Sequence, residues 1–514
     1  MGLASYILSY GVALLGVAIV AAYFHFTRNF GHWKRKGIKE LRPLPFVGNL
    51  KDVAFMKKNI GMVASAIYEQ HKKEPFIGIY AFDEPVLQVH DLNLVKAVLV
   101  KDFQYFPDRS AHADEELDPL PARGLILQKG ERWKHQRNAI TPTFTSGKMK
   151  RMYELVAECG KFLLLALKRE KLAGKPVEVY ELAARYTTDV IAVCAFGIKG
   201  NNLEDPKAEF RRILRAVFEF SPRQAIAMAT VFLAPKLTKL LRLKVIGHEV
   251  ESFVTSTVEK AIKERENKNV QRNDLLDSLI QLMKYGRISE GEEKVAHETS
   301  NKLSFDERDV CGQSFAFLTA GFETSATTIS YALFEIAQNM DVQDKLRKEL
   351  QNATSDGDFS YETLHGLKYL DMVMQETLRK YPPLPFLDRK CSKAYTLPGT
   401  DVTLEAGSRI MVPLHALQMD PEYHPNPKKF DPERFSEENK KNIINYTYMP
   451  FGEGPRNCVG MRFALMQVKS AVAHLLMKYS VDLCDRTPQE IKFSPKTFLL
   501  QPTENIELVF NSLA

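Results

Sequence analysis

The chain has 514 residues, 45% hydrophobic and 26% charged, fractions of a folded globular protein that exclude disorder, collagen-like repeats and low-complexity architectures. Lys and Arg number 70 against 63 for Asp and Glu, so the net charge of +7 is a small difference between two large numbers, and no nucleic-acid partner is implied. Six cysteines, at 159, 194, 311, 391, 458 and 484, show neither C-x-x-C spacing nor disulfide-framework density, and read as free thiols in a reducing compartment unless one is a ligand.

The first element is apolar. The run from Leu3 to Phe26 carries no formal charge and, at about 1.5 Å per residue, is long enough to cross a hydrocarbon core of roughly 30 Å. A cleaved signal peptide would need a basic stretch before a shorter apolar core, and neither is present. Arg28, Lys34, Arg35, Lys36, Lys39 and Arg42 follow the run while no Lys or Arg precedes it, which orients the body of the protein to the cytoplasm. Pro43-Leu44-Pro45 then fixes two φ angles and removes two N–H groups, giving a stiff connector. The organisation expected is a transmembrane anchor over 1–27, a basic, proline-rich linker over 28–50 and one catalytic domain over 51–514.

Within that domain no composition break or internal repeat appears, and helical periodicity dominates. Apolar residues recur at helical spacing in Met149 to Leu167, Val179 to Phe196, Ala208 to Phe220, Val245 to Ile262, Leu275 to Met283 and the long run Val310 to Asn339. Tyr369 to Arg379 and Met461 to Leu476 follow the same pattern. Extended stretches such as Phe76 to Val89 supply small sheets but do not alternate with helices as a parallel α/β fold requires. The fold class expected is mainly α with small β-sheets. Polar, Glu-rich Arg287 to Asn301 reads as a surface loop.

One segment is specific in its chemistry. In Phe451-Gly452-Glu453-Gly454-Pro455-Arg456-Asn457-Cys458-Val459-Gly460 a cysteine sits between glycines and beside an arginine on a loop that opens a helix. Helix N-terminal amides and a cation favour a thiolate, and glycines let backbone approach a flat cofactor. A buried cysteine alone is usually a small hydrophobe, but the pattern F-x-x-G-x-R-x-C-x-G occurs by chance in a chain this long about once in ten thousand. The decapeptide resembles the haem-binding loop of the cytochrome P-450 superfamily at every defining position. That resemblance implies Cys458 as the axial thiolate on haem iron, Phe451 shielding the sulfur, Gly454 shaping the loop, Arg456 on a haem propionate, and Gly460 letting the following helix approach the porphyrin.

Three further segments take their meaning from that resemblance. Ala320-Gly321-Phe322-Glu323-Thr324-Ser325 lies mid-way along the long helical run, with Phe317, Ala320 and Thr324 on one face. Small residues one turn before a hydroxyl leave room for a diatomic molecule and permit a local break in the helix ladder, although a threonine bonding back to the i−4 carbonyl is commoner. The segment is similar to the family's oxygen-binding groove, which implies Thr324 as the group stabilising bound oxygen and Glu323 in the proton relay. Glu376 and Arg379 share a helix face, a pairing worth only about 0.2–0.5 kcal/mol when exposed. In the family such a pair is buried and locked to an arginine of a P-E-R-F-like segment, here Arg434, and serves haem-core assembly. Trp133 and Arg137 are i, i+4 neighbours able to address one anion, and W-x-x-x-R resembles the family's propionate-binding helix. Arg109 and Arg389 resemble further propionate partners. Nearby Lys129, Arg132 and Lys134 read as solvated.

The resemblance spans nearly the whole chain and looks most like the insect members of the microsomal, xenobiotic-metabolising clan. It implies a haem-thiolate monooxygenase of the endoplasmic reticulum membrane, taking NADPH electrons through a flavoprotein reductase, with cytochrome b5 as a further donor. One oxygen atom would enter a lipophilic substrate, a xenobiotic or an endogenous lipid such as a hormone, and the other would leave as water. Pocket candidates are Phe317, Leu384, Phe386, Leu387, Phe498 and Leu499, roofed by Phe218-Glu219-Phe220. Two alternatives stay open: a haem-dependent peroxide isomerase or synthase, which needs no NADPH and leaves the Glu323-Thr324 pair without a purpose, and a non-catalytic haem carrier or sensor.

Overall fold

The computed structural model describes residues 3–513 apart from 173–174, most of 219–239, 269–271, 273, 287, 289–304 and 355–356. The expected surface loop 287–301 therefore falls almost wholly outside the described residues, as do Glu219 and Phe220. The described chain is mostly helical with three small sheets, the class expected. Strands β1 (Phe76–Ala81), β2 (Glu84–Val89), β7 (Arg409–Val412) and β4 (Leu387–Lys390) form one sheet in the order β1-β2-β7-β4, in which β2 and β7 are parallel. Strands β3 (Val177–Glu178), β9 (Glu507–Ser512) and β8 (Tyr479–Leu483) form the second, and β5 (Tyr395–Thr396) pairs with β6 (Thr403–Leu404).

The N-terminal helix runs from Leu3 to Thr27, and its residues from Ser9 to Thr27 are long and apolar enough to cross a membrane. Tyr10, Leu14, Val17 and Phe24 stand exposed around it, so the apolar surface has no protein to bury it. Residues 28–50 are laid along β1. Trp33 is buried, donates from Nε1 to the Ile79 carbonyl at 3.2 Å, and fills the space over Gly78, where a β-carbon would stand 2.3 Å from the indole. Asn49 N–H donates to the Tyr80 carbonyl at 2.9 Å.

The longest core element is the central helix, Glu307–Gln338. Asp306 and Asp309 start it with reciprocal side-chain-to-backbone hydrogen bonds, which satisfy the first orphan amides. It packs against the helices Pro119–Arg123, Val179–Ile191 and Met461–Lys478, and most of its residues are buried. A seam in the middle is different: Phe317, Thr319, Gly321 and Thr324 are half-buried and Ala320 is exposed.

Helix ends depart from periodicity where tertiary groups intervene. The stretch expected to begin at Val245 starts at His248, because the amides of Val245 and Ile246 donate to the Asp118 carboxylate at 2.8 and 3.0 Å and hold the chain there. The helix expected to reach Phe196 ends at Ile191 and widens into one turn over Ala192–Phe196, closed by Gly197 at φ +68°. A β-carbon on Gly197 would lie 2.2 Å from the Arg265 guanidinium, so both conformation and packing require glycine there.

Candidate active site

The Cys458 loop is held from within and from a distant turn. The Cys458 amide donates to the Phe451 carbonyl at 2.8 Å and the Asn457 amide to the Gly454 carbonyl at 3.0 Å. Gly452 and Gly454 take φ of +71° and +72°. At Gly454 a β-carbon would stand 2.0 Å from the Leu99 carbonyl oxygen, so only glycine allows the loop to close on that turn. Cys458 is the one exposed cysteine. Desolvation nonetheless pushes its thiol up against the pull of the Gly460 amide, Arg109 and Arg137. Gly460 opens the helix Met461–Lys478, and a β-carbon there would meet only the Phe144 ring, at 3.8 Å.

Four arginines converge beside that loop. Arg456 is 3% exposed, stacks its guanidinium 3.9 Å over the Trp133 ring, and donates to the carbonyls of Pro107 and Gln128 at 2.7 Å each. Arg389, on β4, is equally buried and donates to the Asp388 carbonyl at 2.8 Å. Burial, Arg109 and each other's company bring Arg456 down to about 9, while burial and Arg109 bring Arg389 down to about 10. Both retain a buried N–H without a hydrogen-bond partner, Nη1 of Arg456 and Nε of Arg389. Arg137 lies on the same side of the loop. Its guanidinium spans Asn457, donating to the backbone carbonyl at 2.6 Å and the side-chain oxygen at 2.7 Å, and so pins the residue before Cys458.

On the central helix the expected break does not occur. The ladder is continuous, with the Thr324 hydroxyl folded back onto the Ala320 carbonyl at 2.6 Å and Thr328 onto the Thr324 carbonyl at 2.7 Å. Gly321 turns toward a neighbouring helix, where a β-carbon would lie 2.4 Å from Ile191, so its small size serves helix approach. Ala320 is the small residue on the open seam. The carbonyl of Gly321 accepts from Gln467 at 3.1 Å, which ties the seam to the helix that follows Cys458. Glu323 and Thr324 are not brought together: the Glu323 carboxyl is wholly buried and accepts from Tyr180 at 2.7 Å, Thr327 at 3.1 Å and Gln501. Burial pushes it up despite those donors.

Glu376 and Arg379 are both fully buried and joined by two hydrogen bonds of 2.7 and 2.9 Å. Arg379 also donates to the carbonyls of Gln418 and Pro427, Glu376 accepts from the Asp431 amide, and Arg434 lies 3.4 Å from Glu376. Every strong donor of the cluster thus finds an acceptor.

The apolar candidates divide. Phe317 stands edge-on to Phe144, and Leu387 lies 3.9 Å from the β-carbon position of Gly452, which brings both toward the Cys458 loop. Phe386 and Phe498 pack with Ile60, Val86 and Met411 beneath the four-stranded sheet, and Leu499 is buried with its carbonyl accepting from Asn59 at 3.0 Å. Leu384 is half-buried, and Phe218 packs its ring 5.6 Å from Phe322. Among the basic residues expected to be solvated only Lys134 is exposed. Arg132 pairs with Asp309 at 2.7 Å and Glu115 at 3.1 Å, and Lys129 is half-buried and pushed down by desolvation.

The cytochrome P450 family model matches residues 39–510. The chain belongs to the cytochrome P450 family. Relatives of this P450 include cytochrome P450 6j1 of Blattella germanica, 44% identical over 95% of each chain, and cytochrome P450 6k1 of the same insect, 42% identical over 97% of this chain and 96% of its own. Probable cytochrome P450 6a14 of Drosophila melanogaster is 37% identical over 97% and 98%. The protein is accordingly a P450 monooxygenase, an oxidoreductase of a family that binds haem and receives NADPH electrons through a reductase. The residues present suit haem: two orphaned arginine N–H groups for its carboxylates, and one exposed thiol for its iron.

Sequence reasoning missed Asn457, Gln467, Tyr180 and Gln501. Each is a partner supplied across the fold, and no local pattern marks it.

Proposed function

We propose that this P450 is a membrane-anchored haem-thiolate monooxygenase of the endoplasmic reticulum that oxidises lipophilic xenobiotics or endogenous lipids with NADPH electrons delivered by a flavoprotein reductase, cytochrome b5 assisting. The observation that carries the reading is the pairing of an exposed thiol at Cys458 with buried arginines whose N–H groups are left over. Orphaned cationic donors in a protein interior cost free energy unless an anion completes them. The apolar helix over 9–27 and the basic residues that follow support the anchor and the cytoplasmic orientation.

In this reading Cys458 ligates the iron, Arg456, Arg389 and Arg109 receive the two propionates with Trp133 as the face on which Arg456 stacks, and Arg137 locks Asn457 so that the sulfur is presented in one orientation. Phe451 covers the thiolate, and Gly454 and Gly460 shape the approach of loop and helix. Bound haem supplies reductive activation of dioxygen, favoured by thiolate donation. Ala320 leaves room on the seam. Thr324 frees its hydroxyl from the Ala320 carbonyl to donate toward a ligand there, and Glu323 stores the proton behind it. Phe317 and Leu387 keep the substrate side apolar and exclude water. The closed cluster of Glu376, Arg379 and Arg434 fixes the scaffold that holds the Cys458 loop.

The test is the carbon monoxide difference spectrum of the reduced protein beside Cys458→Ser. A strongly red-shifted Soret band that the variant abolishes is the expected result. A folded wild-type preparation with no such band overturns the reading, and product formation without NADPH would replace it with a peroxide isomerase.

A further inference from the structure

Behind the central helix, away from the seam that carries Thr324, lies a cleft of about 380 Å³. Charged Glu178, Glu181, Arg211, Arg215 and Glu504 share its wall with apolar side chains, and Tyr180 and Gln501 are among the other residues that line it. Arg211 is held by Glu181 at 2.7 Å and lies 5.3 Å over the Phe322 ring. A space of this size with several polar groups around it holds water. Two of the wall residues are also the donors that bind the Glu323 carboxyl, Tyr180 to Oε2 at 2.7 Å and Gln501 to Oε1. Glu323 has no exposed surface of its own. Consecutive helix residues point about 100° apart, and its carboxyl is accordingly turned to this cleft while Thr324 belongs to the seam.

A buried carboxyl that turns over protons must exchange them with water somewhere, and among the described residues Tyr180 is the cleft-lining residue that touches the carboxyl through a hydroxyl, a group able to donate and accept at once. Gln501 donates but cannot pass a proton on at ordinary pH. We infer that protons reach Glu323 from this cleft through the Tyr180 hydroxyl, with Gln501 holding the carboxyl in the receiving position. A hydronium in the cleft gives its proton to the Tyr180 oxygen as the tyrosine's own proton passes to the Glu323 carboxylate, so that water and neutral tyrosine remain and Glu323 becomes a carboxylic acid. Delivery toward Thr324 follows when the side chain leaves Tyr180 and Gln501, a rotamer change fast on the scale of turnover. The inference rests on the proposed monooxygenase reading for the use of the proton, but the loading step stands on geometry alone.

The groups that bear on Glu323 are Tyr180, Gln501 and Thr327 by hydrogen bonds and Arg211 and Tyr331 by charge. Of these Tyr180 and Gln501 combine contact with the carboxyl and access to the cleft, and of the two only the tyrosine hydroxyl can pass a proton on, so Tyr180→Phe removes the path and leaves the charges in place. In the haem-loaded protein, the infrared C=O band of a protonated carboxyl that Glu323→Gln deletes identifies the group. Tyr180→Phe is expected to shift the titration of that band to higher pH, because a donor to the charged form is lost, and to slow its exchange with deuterated solvent several-fold. Under turnover the same variant is expected to raise peroxide formed per NADPH several-fold, increasingly as pH rises, with an unchanged carbon monoxide spectrum. Gln501→Met is expected to shift the band without slowing its exchange, and serves as the second variant should Tyr180→Phe fold poorly. Wild-type exchange and wild-type peroxide yield in Tyr180→Phe would overturn the inference, as would slowed exchange in Gln501→Met alone. Loss of the thiolate-haem spectrum in the wild type would instead strike at the monooxygenase reading, and the infrared exchange would still decide the proton path.

Discussion

Two buried clusters of charge sit in this protein, and they are finished to different degrees. Around Glu376 the guanidinium of Arg379 meets a carboxylate in a fork and two further carbonyls, and that carboxylate also takes an amide and lies 3.4 Å from Arg434. Beside Cys458 the arginines are as deeply buried, but Arg456 and Arg389 face each other and Arg109 with two N–H groups left over. The first cluster is complete within the polypeptide. The second pairs Arg456 with Asp108 at 3.4 Å but leaves two buried N–H groups without a partner among the described residues.

Breaking the finished cluster should have the largest effect. Arg379→Ala leaves Glu376 charged without its main partner in a site with no exposure, and is expected to cost about 3–5 kcal/mol. The urea midpoint of the purified domain, or loss of folded protein altogether, checks it. In the open cluster the sign should depend on occupancy. Arg389→Met removes a buried charge that has one carbonyl partner, so the haem-free protein is expected to gain about 1 kcal/mol while the haem-loaded protein loses affinity for haem. Parallel urea titrations with and without haem measure both; a loss of similar size in each form would show that Arg389 is structural. A smaller effect belongs to Glu178, which has backbone donors but whose nearest guanidinium, Arg211, is taken by Glu181. Burial raises it to about 7 from an ordinary 4.5. The folded chain then binds more protons than the unfolded chain between these values, so stability falls as pH rises from about 4.5 to 7, by under about 1.4 kcal/mol per pH unit. Glu178→Gln should flatten that slope, which thermal midpoints across the window would reveal.

What could be read in the sequence was whatever depends on neighbours along the chain. The Cys458 decapeptide, the period of the central helix, the apolar run at the N-terminus and the i, i+3 spacing of Glu376 and Arg379 are all local, and the fold class followed from them. The direction a polar side chain takes is not local. Thr324 and Glu323 are adjacent in sequence, yet one lies on the open seam and the other is claimed by Tyr180 and Gln501, from a helix 143 residues earlier and a segment 178 residues later. Arg137 looked free to meet an anion because Asn457, its partner, lies 320 residues away. Gly321 suggested room for a ligand, but the space is filled by Ile191.

The contact between Gly454 and the Leu99 carbonyl sets an order of events during synthesis. Ribosomes add about 5–20 residues per second, so the turn at Leu99 waits some tens of seconds for the strip of chain that must close upon it. Such a distant closure is also entropically costly and slow compared with helix formation. The apolar helix at the start of the chain leaves the ribosome long before then. The loop of Cys458 can thus close on the Leu99 turn only after most of the chain has been made.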